Sequence, residues 1–265
     1  MRHVLTALAL VLALPALCPA AIQMKPIEYK DGDTVLEGFL VHDDAKATQA
    51  HPAPGVLVIH QWLGITDHEK ARARMLAELG YVAFVADIYG KGERPKDRSE
   101  APKFAGKYKG DRKLFRKRLN LAFEELRKQP GVDKARIGAI GFCFGGTGVI
   151  ELARSGADVA AVASFHGGLD SPAPADGKNI KGKVLVLHGA ADPFVPEPDI
   201  AAFRKELDDA KVDWQMVWYS GAVHAFTQKE AGNDPSKGAA YQEHADKRSW
   251  TAMRNFFEEA FAARR

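Results

Sequence analysis

The sequence predicts an α/β fold, a mostly parallel sheet covered by helices on both faces, in one domain. Three observations carry this. Short apolar β-rich runs alternate with amphipathic helical stretches, which is the pattern of repeated strand–helix crossovers. The strand runs, such as GVLVIH at 55–60 and YVAFVAD at 81–87, are apolar on both faces, as buried parallel strands require. No repeat, low-complexity linker or break in composition divides the chain.

Residues 1–21 stand apart from this pattern. A short basic start (Arg2, His3) is followed by an apolar run from Val4 to Leu17 and then small residues. That layout predicts a cleaved signal peptide and a secreted or periplasmic protein. The run is too short for a membrane span, which needs about 20 apolar residues. A lipid anchor at Cys18 is disfavoured by the bulky Leu17 before it. The domain is therefore expected over residues 22–265.

The opening strands are expected at Pro26–Lys30 and Thr34–Val41, split by the turn signal Asp31-Gly32-Asp33. Thr66 and Glu69 have capping-box spacing and should open a helix running to about Leu79. After the 81–87 strand, residues 88–110 are rich in Gly and Lys and read as a long loop, a candidate wall of a site. An amphipathic helix over Asp111–Lys128 ends at Pro130-Gly131. The strand Arg136–Phe142 then leads into a helix from about Phe144 to Arg154. Strands at Val159–Phe165, Lys183–His188 and Trp214–Tyr219 complete the sheet, with a helix near Asp199–Ala210 before the last. A final helix spans about Gly238–Ala263, with Tyr241, Trp250, Met253 and Phe257 near helical spacing.

Composition excludes some functions. A net charge of +3 supplies no electrostatic footprint for nucleic acid or a membrane surface. The basic segment from Lys103 to Lys117 is interleaved with Phe104, Leu114 and Phe115 and reads as the solvated face of a helix. No histidine pair has metal-binding helical spacing and no Cys/His cluster exists, so neither a metal nor a cofactor is expected. Oligomeric state is left at monomer or small homo-oligomer.

Two cysteines are present, and Cys18 would leave with the signal peptide. Cys143 then has no disulfide partner, and a lone free thiol in an oxidising compartment needs a reason. The ordinary reason is burial as a small hydrophobe. Its context says otherwise. Gly141-Phe142-Cys143-Phe144-Gly145 joins a strand to a helix, the nucleophile-elbow pattern with cysteine in place of serine. A helix N-terminus beneath the thiol favours the thiolate.

An elbow calls for an acid and then a histidine on loops after later strands. Asp192 is the first carboxylate after KVLVLHG, and His224 the first histidine after QMVWYS. Cys143, Asp192 and His224 are thus the expected triad. The expected oxyanion donors are the backbone N–H groups of Phe144 and of Trp62, the latter in the loop after GVLVIH. His166 ends a strand and is a candidate for the pocket wall, as is His60. His188 is expected to pack beneath the site. His42, His51, His68 and His244 have no strand-end position.

These motifs resemble the dienelactone hydrolases. The likeness rests on GFCFGG (141–146), HGAADPFVP (188–196), GAVHAF (221–226) and VADIYGKG (85–92) and covers nearly all of residues 22–265. It implies an α/β-hydrolase acting on a small ester or lactone through Cys143, Asp192 and His224. The family's thiol-ionising glutamate corresponds to Gln61, and its two carboxylate-binding arginines to Lys91 and Gln228. These substitutions argue against a dienelactone as substrate. A thioesterase or acyltransferase on the same triad, or a binding protein that kept the fold, are the other readings.

Overall fold

The computed structural model describes residues 22–264; the expected signal peptide lies outside the described residues. One eight-stranded sheet runs through the molecule in the order β1-β2-β4-β3-β5-β6-β7-β8. Strands β1 (Ile22–Asp31) and β2 (Thr34–Asp43) form an antiparallel hairpin turned at Gly32, which has φ +58°. Strand β2 pairs antiparallel with β4 (Val82–Ala86). From there β4, β3 (Ala53–Ile59), β5 (Val132–Phe142), β6 (Ala161–Phe165), β7 (Lys183–Gly189) and β8 (Trp214–Tyr219) are all parallel. Strands β4, β6 and most of β3, β5 and β7 are buried, as their continuous apolar runs require.

Two apolar cores result, one on each face. Helices α1 (Asp67–Glu78) and α6 (Glu243–Ala262) cover one face through Leu76, Met253 and Phe257. On the other lie α2 (Ala101–Gly110), α3 (Arg112–Lys128), α4 (Phe144–Arg154) and α5 (Glu197–Asp209), contributing Tyr108, Phe115, Val149 and Phe203. The capping box at Thr66 and Glu69 forms as expected.

Two expectations need correction. Residues 101–110 are helix rather than loop, so the connection after β4 ends near Glu100. Gly106, Gly110 and three lysines obscured a helical face, yet Ala101, Ala105 and Tyr108 are buried at helical spacing. Pro102 sits in the first turn, where its fixed φ suits a helix start. The last helix begins at Glu243, not near Gly238. Gly238 is left-handed, and the backbone around it pairs with His224: the His224 N–H donates to Gly238 O and the Ala240 N–H to His224 O.

Candidate active site

The carboxyl ends of β3, β5, β7 and β8 open into one cavity of about 640 Å³. Strand β5 delivers Cys143 at the floor, half-buried, with φ +53° and ψ −114°. That left-handed backbone is strained for a residue with a side chain. Two glycines make it possible. A Cβ on Gly141 would lie 2.0 Å from Gly145 O, and one on Gly145 would lie 2.2 Å from Ile59 O. The strand-to-helix turn is too tight for any side chain at either position.

Asp192 follows β7 and His224 follows β8. Asp192 Oδ2 accepts from His224 Nδ1 at 2.8 Å, and Oδ1 accepts from the Phe194 N–H at 2.9 Å. The Asp192 side chain is fully buried, so both oxygens are fixed. This leaves Nε2 as the free nitrogen of His224, and the ring interacts directly with the Cys143 thiol. Burial alone would raise the thiol pKa. The charge and hydrogen bond of His224, aided by the Phe144 N–H, override it and lower the pKa. Burial would likewise lower His224, but the Cys143 charge and the Asp192 hydrogen bond push it up to about 10. The opposite shifts of the imidazole and the thiol therefore favour a thiolate–imidazolium pair.

The loop after β3 forms the opposite wall. The Gln61 N–H is taken by Glu69 Oε1 at 3.3 Å, and the Gly64 N–H closes back on Gln61 O. The Trp62 N–H enters no hydrogen bond with another described residue. Trp62 lines the cavity, and the Phe144 N–H points at the Cys143 sulfur. Trp62 O is held by the Tyr89 hydroxyl at 2.9 Å, which fixes this peptide.

Of the substrate-binding candidates, Gln61 and Gln228 line the cavity. Lys91 does not. It pairs with Glu28 and, at 3.1 Å, with Glu37 on the β1–β2 hairpin, whose carboxylates draw the ammonium away from the cavity. His166 is not a pocket wall either: it is fully buried behind Cys143. Its Nδ1 accepts from the Cys143 N–H at 3.1 Å, and its Nε2–H donates to Thr227 Oγ1 at 2.8 Å. Thr227 O accepts from Arg72, which also pairs with Asp246 of α6 at 2.5 Å. Burial, reinforced by the charge on His224, holds His166 neutral. His60 is also structural, its Nδ1–H donating to Gln61 O and its Nε2 accepting from the Ile88 N–H. His188 packs edge-on to Trp218, beneath the site as expected.

Several lining residues escaped the sequence reading: Leu63, His68, Arg98 and Phe194. Phe194 adjoins Asp192 and stands 59% exposed with its ring edge-on to His224, at the mouth. The HGAADPFVP motif could have pointed to it, since the residue two after the acid shares its loop. His68 sits in the first turn of α1, a position with no strand-end signal.

Among the described residues, no group of histidine, cysteine or acidic side chains could hold a metal ion. No helix among them is long and apolar enough to cross a membrane.

The arrangement matches known proteins throughout its length. The solved structure m3DLH superposes with a TM-score of 0.86 at 42% identity, covering 91% of this chain and 99% of that one. A structure titled as a dienelactone hydrolase-like promiscuous phosphotriesterase from metagenomic libraries gives 0.85 at 41%, with the same coverage. A Bradyrhizobium sequence named "Probable 2-oxo-3-(5-oxofuran-2-ylidene)propanoate lactonase" is 31% identical over 184 residues, spanning 65% of this chain and 73% of that one. The sequence model of the Dienelactone hydrolase family matches residues 38–261. The chain belongs to the dienelactone hydrolase family, a carboxylic ester hydrolase with the α/β-hydrolase fold.

Proposed function

We propose that this enzyme cleaves a small carboxylic ester or lactone through a covalent thioacyl intermediate on Cys143, with His224 and Asp192 completing a triad. The observation that carries the reading is the 2.8 Å Asp192–His224 hydrogen bond, with the other face of that imidazole turned to a thiol on the elbow.

The steps follow from the geometry. The Cys143 thiolate attacks the acyl carbon, and the carbonyl oxygen takes the negative charge between the N–H groups of Phe144 and Trp62. As the tetrahedral adduct collapses, the C–O bond to the alcohol breaks and His224 gives its proton to the leaving oxygen. The thiolate charge that held the imidazole protonated is then gone. His224 can act as a base, taking a proton from water as the water attacks the thioester. Collapse of the second adduct releases the acid and the thiolate, and His224 keeps the proton. Asp192 holds the Nδ1–H tautomer throughout.

His166 supports the nucleophile rather than touching substrate, and Gln61 and Gln228 contact it. A thioesterase or acyltransferase would use the same residues and differ only in the leaving or accepting group. Phosphotriester hydrolysis is a second reading, favoured by the 41% identical structure whose title carries that activity. The apolar leader and the unpaired Cys143 support action outside the cytoplasm, which N-terminal sequencing of the exported protein tests.

Cys143→Ala is the direct test. Hydrolysis of 4-nitrophenyl butyrate should fall by at least about 1,000-fold, as for loss of a nucleophile in comparable triads. Turnover at the wild-type rate would overturn the assignment.

A further inference from the structure

The cavity holds a feature the triad does not use. Gln61 is 1% exposed and lines the cavity beside Cys143; its amide N–H side faces the Glu69 carboxylate, while its Oε1 has no hydrogen-bond partner. His68 lines the same cavity, and its Nε2 is buried and unpartnered too. Leaving buried polar atoms without partners is unfavourable, so a ligand that satisfies them binds with that advantage. Both side chains are held in place. The Gln61 backbone is pinned through its N–H by Glu69 and through its O by His60 and Gly64. The His68 ring stands edge-on to Phe142, with centroids 4.8 Å apart.

Neither group carries charge. The Gln61 amide has none, and burial together with the nearby Arg72 cation keeps His68 neutral, with its pKa lowered to about 3. The remaining wall near the nucleophile is apolar, with Trp62, Leu63, Phe194 and Ala225. The lysine aligned with the family's carboxylate clamp is paired elsewhere, to Glu28 and Glu37. One hydroxyl can donate to the amide oxygen of Gln61 and accept from the His68 Nε2–H. A carboxylate can only accept, so it would leave the amide oxygen unpaired and bring an uncompensated charge into an apolar wall.

We propose that Gln61 and His68 form a neutral polar subsite that selects substrates carrying an uncharged hydroxyl near the scissile ester. This rests on the ester-hydrolase reading above and narrows it to hydroxylated esters and lactones, against carboxylate-bearing ones. The subsite acts on specificity: it binds a part of the substrate that does not react.

Matched substrates read the subsite directly. On the acyl side these are 4-nitrophenyl butyrate, 4-nitrophenyl 3-hydroxybutyrate and the 4-nitrophenyl half-ester of succinate. On the alcohol side they are propyl butyrate and glyceryl monobutyrate. Wild type should prefer the hydroxylated member of at least one pair by about tenfold in kcat/KM, the value of one net hydrogen bond, and should disfavour the succinate half-ester. Gln61→Met keeps side-chain volume and the backbone bonds while removing both polar atoms, and His68→Phe does the same for the ring. Each should reduce the preference, read as the ratio of kcat/KM between matched substrates in the same variant, to below about threefold. Equal kcat/KM across both pairs in wild type would overturn the proposal without any variant. A preference that survives in both variants, or a faster reaction of the succinate half-ester, would overturn it as well. Failure of the underlying nucleophile assignment shows differently, as hydrolysis of these esters by Cys143→Ala.

Discussion

His224→Gln removes the cation that opposes burial at Cys143 while leaving the elbow intact. In the wild type that cation is the chief influence lowering the thiol pKa, and the imidazole keeps its own proton up to about pH 10. The thiolate is lost as pH falls through the lowered thiol pKa, and the imidazolium is lost as pH rises through about 10. Between these limits the ion pair persists, so iodoacetamide should alkylate Cys143 at a rate that levels off at a lower pH than for a free thiol. In the variant, burial acts unopposed except by the Phe144 N–H and more distant charge. The thiol should then titrate no lower than a free cysteine, with at most about 3% thiolate at pH 7. The thiolate population at pH 7 therefore falls in the variant. The higher nucleophilicity of the more basic thiolate, with a Brønsted slope of about 0.4–0.5, returns about half of this on a logarithmic scale. The net expectation is alkylation about two- to threefold slower at pH 7, still climbing through pH 9. Mass spectrometry of the labelled folded protein measures it, with a melting curve as control. An identical rate–pH profile in His224→Gln would refute the ion pair and leave the helix N-terminus as the source of activation.

Two further substitutions test the frame that carries the site. Arg154 is fully buried and makes two parallel bonds to Glu206, at 2.8 and 2.6 Å, besides one to Glu151 at 2.9 Å; Glu206→Ala should destabilise by about 1–3 kcal/mol in urea unfolding, since the guanidinium keeps Glu151 but loses the partners of Nε and Nη2. Gly145→Ala forces its Cβ against Ile59 O, and a displacement of about 1 Å at the elbow should lower kcat by about 100-fold in protein that still folds.

Much of the fold was legible because periodicity and punctuation agreed. The runs that became β3 through β7 are largely buried strands, β8 forms the partly exposed edge, and the Thr66/Glu69 spacing opened a helix where expected. That Cys143, Asp192 and His224 would share one end of the sheet was legible for the same reason: each follows a strand, and strand ends converge in a parallel sheet. What failed was information that only tertiary packing supplies. Pro102, Gly106 and Gly110 read as loop because their weak propensity is overridden by Ala101, Ala105 and Tyr108 packing inward. Lys91 matched a clamp position by alignment, but a side chain follows its nearest opposite charges, and those stand on the hairpin. His166 was placed at the correct strand end and on the wrong side of the nucleophile. His68 belonged to a helix, and nothing in its local sequence tells which helical face looks into a cavity.

The capping box at the start of α1 reaches beyond the helix. Glu69 closes the cap on Thr66 with one oxygen and takes the Gln61 N–H with the other, so a single carboxylate both starts a helix and sets one wall of the cavity. Stability and selectivity are inherited together there. A lineage drifting under pressure for thermal tolerance alone, trading Thr66 or Glu69 for other helix starters, would retune which esters it accepts. Randomising that turn in a directed-evolution library would therefore sample new substrates as effectively as randomising the pocket itself, with loss of folding as the accompanying hazard.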